Sequence, residues 1–244
     1  MNTHLLLLAD SRLPAGGHAH SGGLEPAASA GVVENLADLA DFLSGRLATS
    51  GLVAAALAAA ACALALDGVT ACPPVVGGGT DRAPVPGNGT DWVRLDGEAD
   101  ARTPSPAQRS ASRAQGRSML RAVRTAWPSP VLDVLRTAVP GGPHQPLVVG
   151  AATAVMHGSP GEAAAITAYA AVTGPASAAV RLLGLDPLAV HRTLAELAPQ
   201  VDAVAAEAAT YASADHADLP ALSAPVLDLF AELHLRSDLR LFES

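Results

Sequence analysis

Apolar residues recur along this chain at the spacing of helices, and nowhere with the alternation of strands. After Asn35, the positions Leu36, Leu39, Ala40, Leu43 and Leu47 lie three or four apart, which places them on one face of an α-helix. Ser105-Pro106, Ser129-Pro130, Ser159-Pro160 and Asp186-Pro187 each pair an N-cap residue with proline at the first helical position. Gln108 follows Ser105 and Glu162 follows Ser159 at the spacing of a capping box. Gly174-Pro175 reads as a break before another helix, and Gly184 as its end. The pattern predicts helices over 2–9, 24–30, 36–49, 52–66, 106–126, 130–138, 146–157, 160–172, 175–183, 187–197, 200–213 and 225–235. No segment sustains apolar–polar alternation, so no sheet is expected. The predicted fold class is all-α, a single-domain bundle of about ten helices spanning 1–244.

Two stretches stand out from this pattern. Leu52 to Leu66 carries fifteen residues without a charge. A membrane span needs about 20 strongly apolar residues, and this run is mostly alanine and closes at Asp67-Gly68, so a buried bundle helix is expected. Residues 67–105 hold Pro73-Pro74, Gly77-Gly78-Gly79, Pro84, Pro86-Gly87 and Asn88-Gly89. That composition predicts a structureless insertion between helices.

Composition supports the helical reading. Half the residues are hydrophobic but only 3% aromatic, and alanine favours helices while strands favour aromatic and β-branched residues. The net charge of −8 opposes nucleic-acid binding, which requires a basic surface. All 15 basic residues are arginine, a codon effect without functional meaning. Cys62 and Cys72 form neither a zinc-like spacing nor a disulfide framework, which suits a reduced, cytoplasmic setting. The apolar N-terminus has no preceding Arg or Lys and stops at Asp10, so it does not read as a signal peptide.

The segment from Asp10 to Glu25 contains four glycines and a proline, which make a shaped, irregular run suited to contact or turning. Its pattern D-S-x-x-P-x-G-G-x-x-H-S-x-G-L-E, formed by Asp10, Ser11, Pro14, Gly16, Gly17, His20, Ser21, Gly23, Leu24 and Glu25, resembles the opening signature of the UreF family of urease accessory proteins. Further runs follow in family order. Arg109 to Arg117 resembles an R-x-A-S-x-x-x-G-R helix, with Ser112 and Gly116 inside it. His144-Gln145-Pro146 to Gly150, and Ala178 to Leu182 with Arg181, resemble a second pair. Arg240-Leu241-Phe242-Glu243-Ser244 resembles the terminal R-L-F-x-S.

The resemblance implies a nickel-insertion chaperone that is not an enzyme and needs no cofactor. It implies a homodimer that binds the UreD/UreH accessory protein and recruits the UreG GTPase. That complex delivers nickel to apo-urease, whose active-site lysine becomes carbamylated. The partner-binding surfaces it implies are the 10–25 segment, the Arg109–Arg117 helix face and the Arg240–Ser244 tail. Nucleic acid and membrane are not expected partners.

The candidate chemistry is otherwise sparse. His18 and His20 could approach one metal from an extended segment, and imidazole suits nickel or zinc; both are weak candidates beside a surface role, and the family usually carries an aromatic where His18 stands. Arg109, Arg113, Arg117, Arg121 and Arg124 form one helical stripe, which reads either as a patch for an acidic partner or as a solvated face. Gly116 in mid-helix costs about 1 kcal/mol against alanine, so another backbone should pack there. Arg181 lies among apolar residues, and a buried Arg needs a partner, with Glu25 or Asp10 expected. His144, Pro146 and His234 read as structural. No Walker loop, G-x-S-x-G, H-E-x-x-H or G-x-G-x-x-G before a helix occurs. Two other classes stay open: a membrane-associated protein using 47–66, and a helical metalloenzyme using His18, His20 and a carboxylate.

Overall fold

The uncharged run forms the axis of the molecule. In the computed structural model, which describes residues 2–14, 20–70, 89–236 and 241–242, α4 (Leu52–Thr70) is walled by α8 (Gln145–Val155), α9 (Pro160–Leu183) and α10 (Pro187–Ala209). Ala55, Ala56, Ala58, Ala59, Ala61 and Cys62 are fully buried. Small side chains let the helix axes close together, and Gly150 of α8 completes the fit: a Cβ there would strike the Ala58 carbonyl. Around this axis stand α1 (Thr3–Ala9), α2 (Leu24–Ser29), α3 (Leu36–Arg46), α5 (Gly89–Ala101), α6 (Pro106–Ala126), α7 (Pro130–Ala138) and α11 (Pro225–Leu235). No strand occurs among the described residues, and the fold is all-α.

The predicted N-caps are largely in place. Ser159 and Glu162 form a complete capping box at the start of α9, and Asp186 accepts from the Leu188 amide. At α6 only half the box is local, with Ser105 Oγ accepting from Gln108 N at 3.1 Å. α11 supplies the rest. Glu232 accepts from Ser105 Oγ at 2.6 Å and from Ala107 N at 2.8 Å. Carboxylates at a helix N-terminus meet unpaired N–H groups and the positive end of the dipole, so this contact fixes α11 against α6.

Four sequence expectations require correction. Residues 67–105 are not one structureless insertion. α4 continues to Thr70, and α5 occupies Gly89–Ala101 with Trp92, Leu95, Asp96 and Ala99 buried; residues 71–88 lie outside the described residues. The break at Gly174-Pro175 does not occur, because α9 runs through Pro175. Proline lacks the N–H that would bond the carbonyl four residues back, here Ala171, and Arg46 Nε donates to that oxygen instead at 3.1 Å. The helices expected at 187–197 and 200–213 are one helix, α10, running through Pro199 and ending in a 3-10 turn at Thr210–Ser213. A π-helical turn, Leu47–Gly51, joins α3 to α4 without a loop.

The continuous helix Leu36–Gly68 and the helix Pro160–Leu183 are each long and apolar enough to cross a membrane. In this fold 67% and 56% of their most apolar windows are buried. That apolar surface serves packing, as expected for Leu52 to Leu66.

Candidate functional site

The features singled out in the sequence converge on two neighbouring polar assemblies. The first sits where α8 begins. Pro146 occupies the first turn of α8, and the preceding His144 is buried. The His144 ring bonds Ser112 Oγ of α6 through Nδ1 at 3.0 Å and Asp100 Oδ1 of α5 through Nε2 at 2.9 Å. Its backbone N–H donates to Asp96 Oδ1 at 3.0 Å. Arg113 bridges both carboxylates, to Asp96 Oδ2 at 2.8 Å and Asp100 Oδ2 at 2.7 Å, and also donates to the Gly142 carbonyl at 2.7 Å. Gly116 lies directly below, where a Cβ would collide with the Pro143 carbonyl. The backbone contact expected from a mid-helix glycine is therefore present.

Ser112, His144 and Asp100 form a serine–histidine–carboxylate chain that the sequence reading missed. Asp96 and Asp100 lie in the stretch read as structureless. Their i, i+4 spacing, with Trp92, Leu95 and Ala99 on helical spacing beside them, was the available signal. Acyl transfer by such a chain also needs N–H groups free to hold an oxyanion. At this turn Gln145 N donates to Ser112 Oγ at 3.2 Å and His144 N to Asp96, and position 146 is a proline. Asp100 also shares its charge with Arg113. The chemistry available is a brace that ties α5, α6 and α8 at one point.

Burial pushes the His144 imidazole below its ordinary range, and the bond to Asp100 only partly opposes this. Burial alone would raise Asp100, but hydrogen bonds from His144 and Arg113 outweigh it and hold that carboxyl low. The sign follows from proton binding. As pH falls through the ordinary histidine range, near 6.5, the unfolded chain takes up a proton that folded His144 resists. Stability therefore falls. Asp100 acts in the same direction at lower pH, its contribution disappearing as pH drops below about 4. Thermal melts between pH 7.5 and 5.5 should show a decreasing midpoint with a shallower slope in His144→Gln. An equal slope in the variant would remove His144 as the source.

The arginine stripe is mostly committed to the chain itself. Arg109 donates to the Thr103 and Pro104 carbonyls at 2.6 and 2.9 Å. Arg117, though exposed, donates to the Gly141 carbonyl at 2.9 Å, and its side chain packs on Gly142, whose φ is +97°. Arg124 pairs with Asp133. Arg121 is exposed. The stripe, read from the sequence as either a partner patch or a solvated face, makes internal ties at Arg109, Arg113, Arg117 and Arg124.

The second assembly holds the C-terminus. Glu25, buried on α2, accepts from Leu241 N at 2.8 Å and Phe242 N at 2.9 Å. His234 of α11 is also buried, with Nε2 3.1 Å from the Phe242 carbonyl and 3.5 Å from Glu25 Oε2. Ser21 Oγ caps this turn by accepting from Glu25 N. Phe242 is buried while Leu241 is 77% exposed. Arg181 does not pair with Glu25 or Asp10 as expected. It is exposed, with its guanidinium 6.0 Å from the Phe242 ring centroid. Asp10 binds Arg12 instead, and Glu25 is occupied by the tail amides. The apolar neighbours of Arg181 face the core while its own position on α9 faces outward, so helical periodicity put Arg181 on the surface.

Of the remaining candidates, Ser11 and Pro14 are exposed and His20 is half-buried. Gly16, Gly17, His18, Arg240 and Ser244 lie outside the described residues. Among the described residues, no group of three or more His, Cys, Asp or Glu side chains could hold a metal ion.

These observations define an all-helical protein whose two polar assemblies join helices and a chain end. The family model described as UreF matches residues 33–198. Urease accessory protein UreF of Mycobacterium sp. (strain JLS) is 43% identical over 242 residues, covering 99% of this chain and 98% of that relative. The protein of the same name from Mycolicibacterium vanbaalenii is 42% identical over 240 residues, covering 98% and 97%. That from Mycobacterium tuberculosis (strain ATCC 25618 / H37Rv) is 39% identical over 232 residues, covering 94% and 92%. The chain belongs to the UreF family of urease accessory proteins.

Proposed function

We propose that this chain is a non-enzymatic scaffold for urease maturation. It forms a homodimer, binds the UreD/UreH accessory protein and brings the UreG GTPase to apo-urease for GTP-dependent nickel delivery, in the cytoplasm and within one helical domain. The reading rests on family membership, and one observation supports placing the partner contact at the C-terminus. On α11, whose His234 meets the same tail, Val226, Leu229 and Leu233 are each more than half exposed, as is Leu241 of the tail. An exposed apolar strip rimmed by polar groups is a typical protein-binding surface. The 10–25 segment and the Arg109–Arg117 face of α6 are the two other interaction surfaces of this reading.

Deleting Leu239 to Ser244 should leave a folded helical protein that no longer co-purifies with the UreD/UreH partner. Leu241→Ser, which changes an exposed side chain, should weaken the same capture without altering the melt. Full co-purification of both variants would refute the tail assignment.

A further inference from the structure

A cleft of about 200 Å³ opens between α2, the π-turn, α4, α6 and α11. Pro26, Val53, Ala54, Leu57, Leu227 and Ala231 make its apolar walls. Arg46 lines it with a guanidinium that has no carboxylate partner among the described residues. Arg102, the other cation of the cleft, is committed: it binds Glu98 and the Leu219 and Pro220 carbonyls. Asp228, also in the lining, is drawn toward its neutral form by burial.

Arg46 is held in a fixed pose. Its Nε donates to the Ala171 carbonyl that Pro175 leaves without a helical donor. Gly22, at φ +62°, packs against the guanidinium; a Cβ there would sit 3.3 Å from Arg46 Cζ and Nη2 and 2.9 Å from Pro175 Cγ. With Nε anchored, the two Nη groups carry donors that have no acceptor among the described residues. A guanidinium presents those donors as a planar fork matched to two oxygens of one group. Desolvation of the arginine lowers its proton affinity, to a value of about 10, so it remains a cation at neutral pH. A desolvated cation without a counter-charge is costly, and an entering anion would relieve that cost.

We propose that this cleft is a carboxylate site, in which Arg46 receives the two oxygens and the apolar walls receive the short carbon chain behind them. The same chemistry is carried by a free organic acid or by a Glu or Asp side chain of a bound protein. The cleft volume suits a group of that size, and the apolar walls favour it over a bare inorganic ion.

The full-length protein labelled with ¹⁵N at arginine would be titrated with propionate, with inorganic phosphate and with a short acidic peptide, while the Arg46 Nε–Hε resonance is followed. Saturable movement with propionate, and weaker or no movement with phosphate, is the expected result. Tighter movement with the peptide would identify a protein side chain as the source, and movement with propionate alone a free acid. Arg46→Gln, which has no such resonance and is therefore read by titration calorimetry with the same three ligands, should weaken the interaction about tenfold or more, the value of a charge-assisted bidentate contact. Because Arg46 also serves the Ala171 carbonyl, Leu227→Trp provides a second variant, filling the cleft while keeping the arginine. It should abolish the shift with the fold intact. An Arg46 resonance that moves with none of the three ligands, or moves equally in Leu227→Trp, would overturn the proposal.

Discussion

Replacement of Gly150 by valine is expected to lower stability by about 3 kcal/mol or more, at the upper end of overpacking costs. A Cβ at this position meets the Ala58 carbonyl, and lies 2.7 Å from both Ala61 Cβ and Cys62 N. Two of these three atoms are backbone of α4, so no rotamer change relieves the clash. Relief requires α8 to move away from α4 along a seam whose alanines are fully buried, and every contact in that seam weakens as the helices part. For a chain of this size each kcal/mol moves the melting temperature by about 2–4 °C, so a drop near 10 °C is expected by circular dichroism. Gly45 provides the control. A Cβ there meets nothing within 4 Å, and Gly45→Ala on α3 should be neutral or stabilising by up to about 1 kcal/mol. A Gly150→Val protein melting with the wild type would mean that the α4–α8 seam is looser than described.

Arg113→Met should cost about 3 kcal/mol, the value for breaking a buried ion pair on one side. Asp96 is only 6% exposed, and without the guanidinium its carboxylate stays buried with the His144 amide as its remaining described donor. The Gly142 carbonyl loses its Arg113 donor as well. Adding Asp96→Asn keeps an acceptor for His144 N while removing the charge, and should recover part of the loss. The double-mutant cycle would then report coupling of about 1–3 kcal/mol. A solvated, partner-facing arginine predicts the opposite pattern: a stability change within about 0.5 kcal/mol and a loss of partner capture. An unchanged melt together with lost capture would return Arg113 to the binding surface.

The arginine stripe shows where one-dimensional reading stops. Periodicity correctly put Arg109, Arg113 and Arg117 on one side of α6, but it could not say what would stand opposite them. That was decided by α5, a helix hidden in a stretch whose prolines and glycines dominated its composition. Once α5 is in place, its Asp96 and Asp100 turn a cationic face into a brace. The Pro175 break failed for a related reason. Proline's local cost was read correctly, but the acceptor it strands is satisfied by Arg46, 125 positions away in sequence. Arg181 failed differently: a buried pair was inferred from apolar neighbours, although helical geometry sends adjacent residues to different faces.

What the chain determined locally was the identity and start of most helices, because a Ser-Pro or Asp-Pro cap and a three–four apolar repeat act within a few residues. It also determined that Leu52 to Leu66 would be buried, since an uncharged alanine-rich helix has no polar face to offer water, and that Gly116 would meet another backbone. Tertiary structure alone decided the partners: Glu25 with the tail amides, His144 with two carboxylates, Arg46 with a stranded carbonyl and an open cleft. These are pairings between polar groups far apart in sequence. They depend on distance and desolvation in three dimensions, and neither quantity is written in the order of residues.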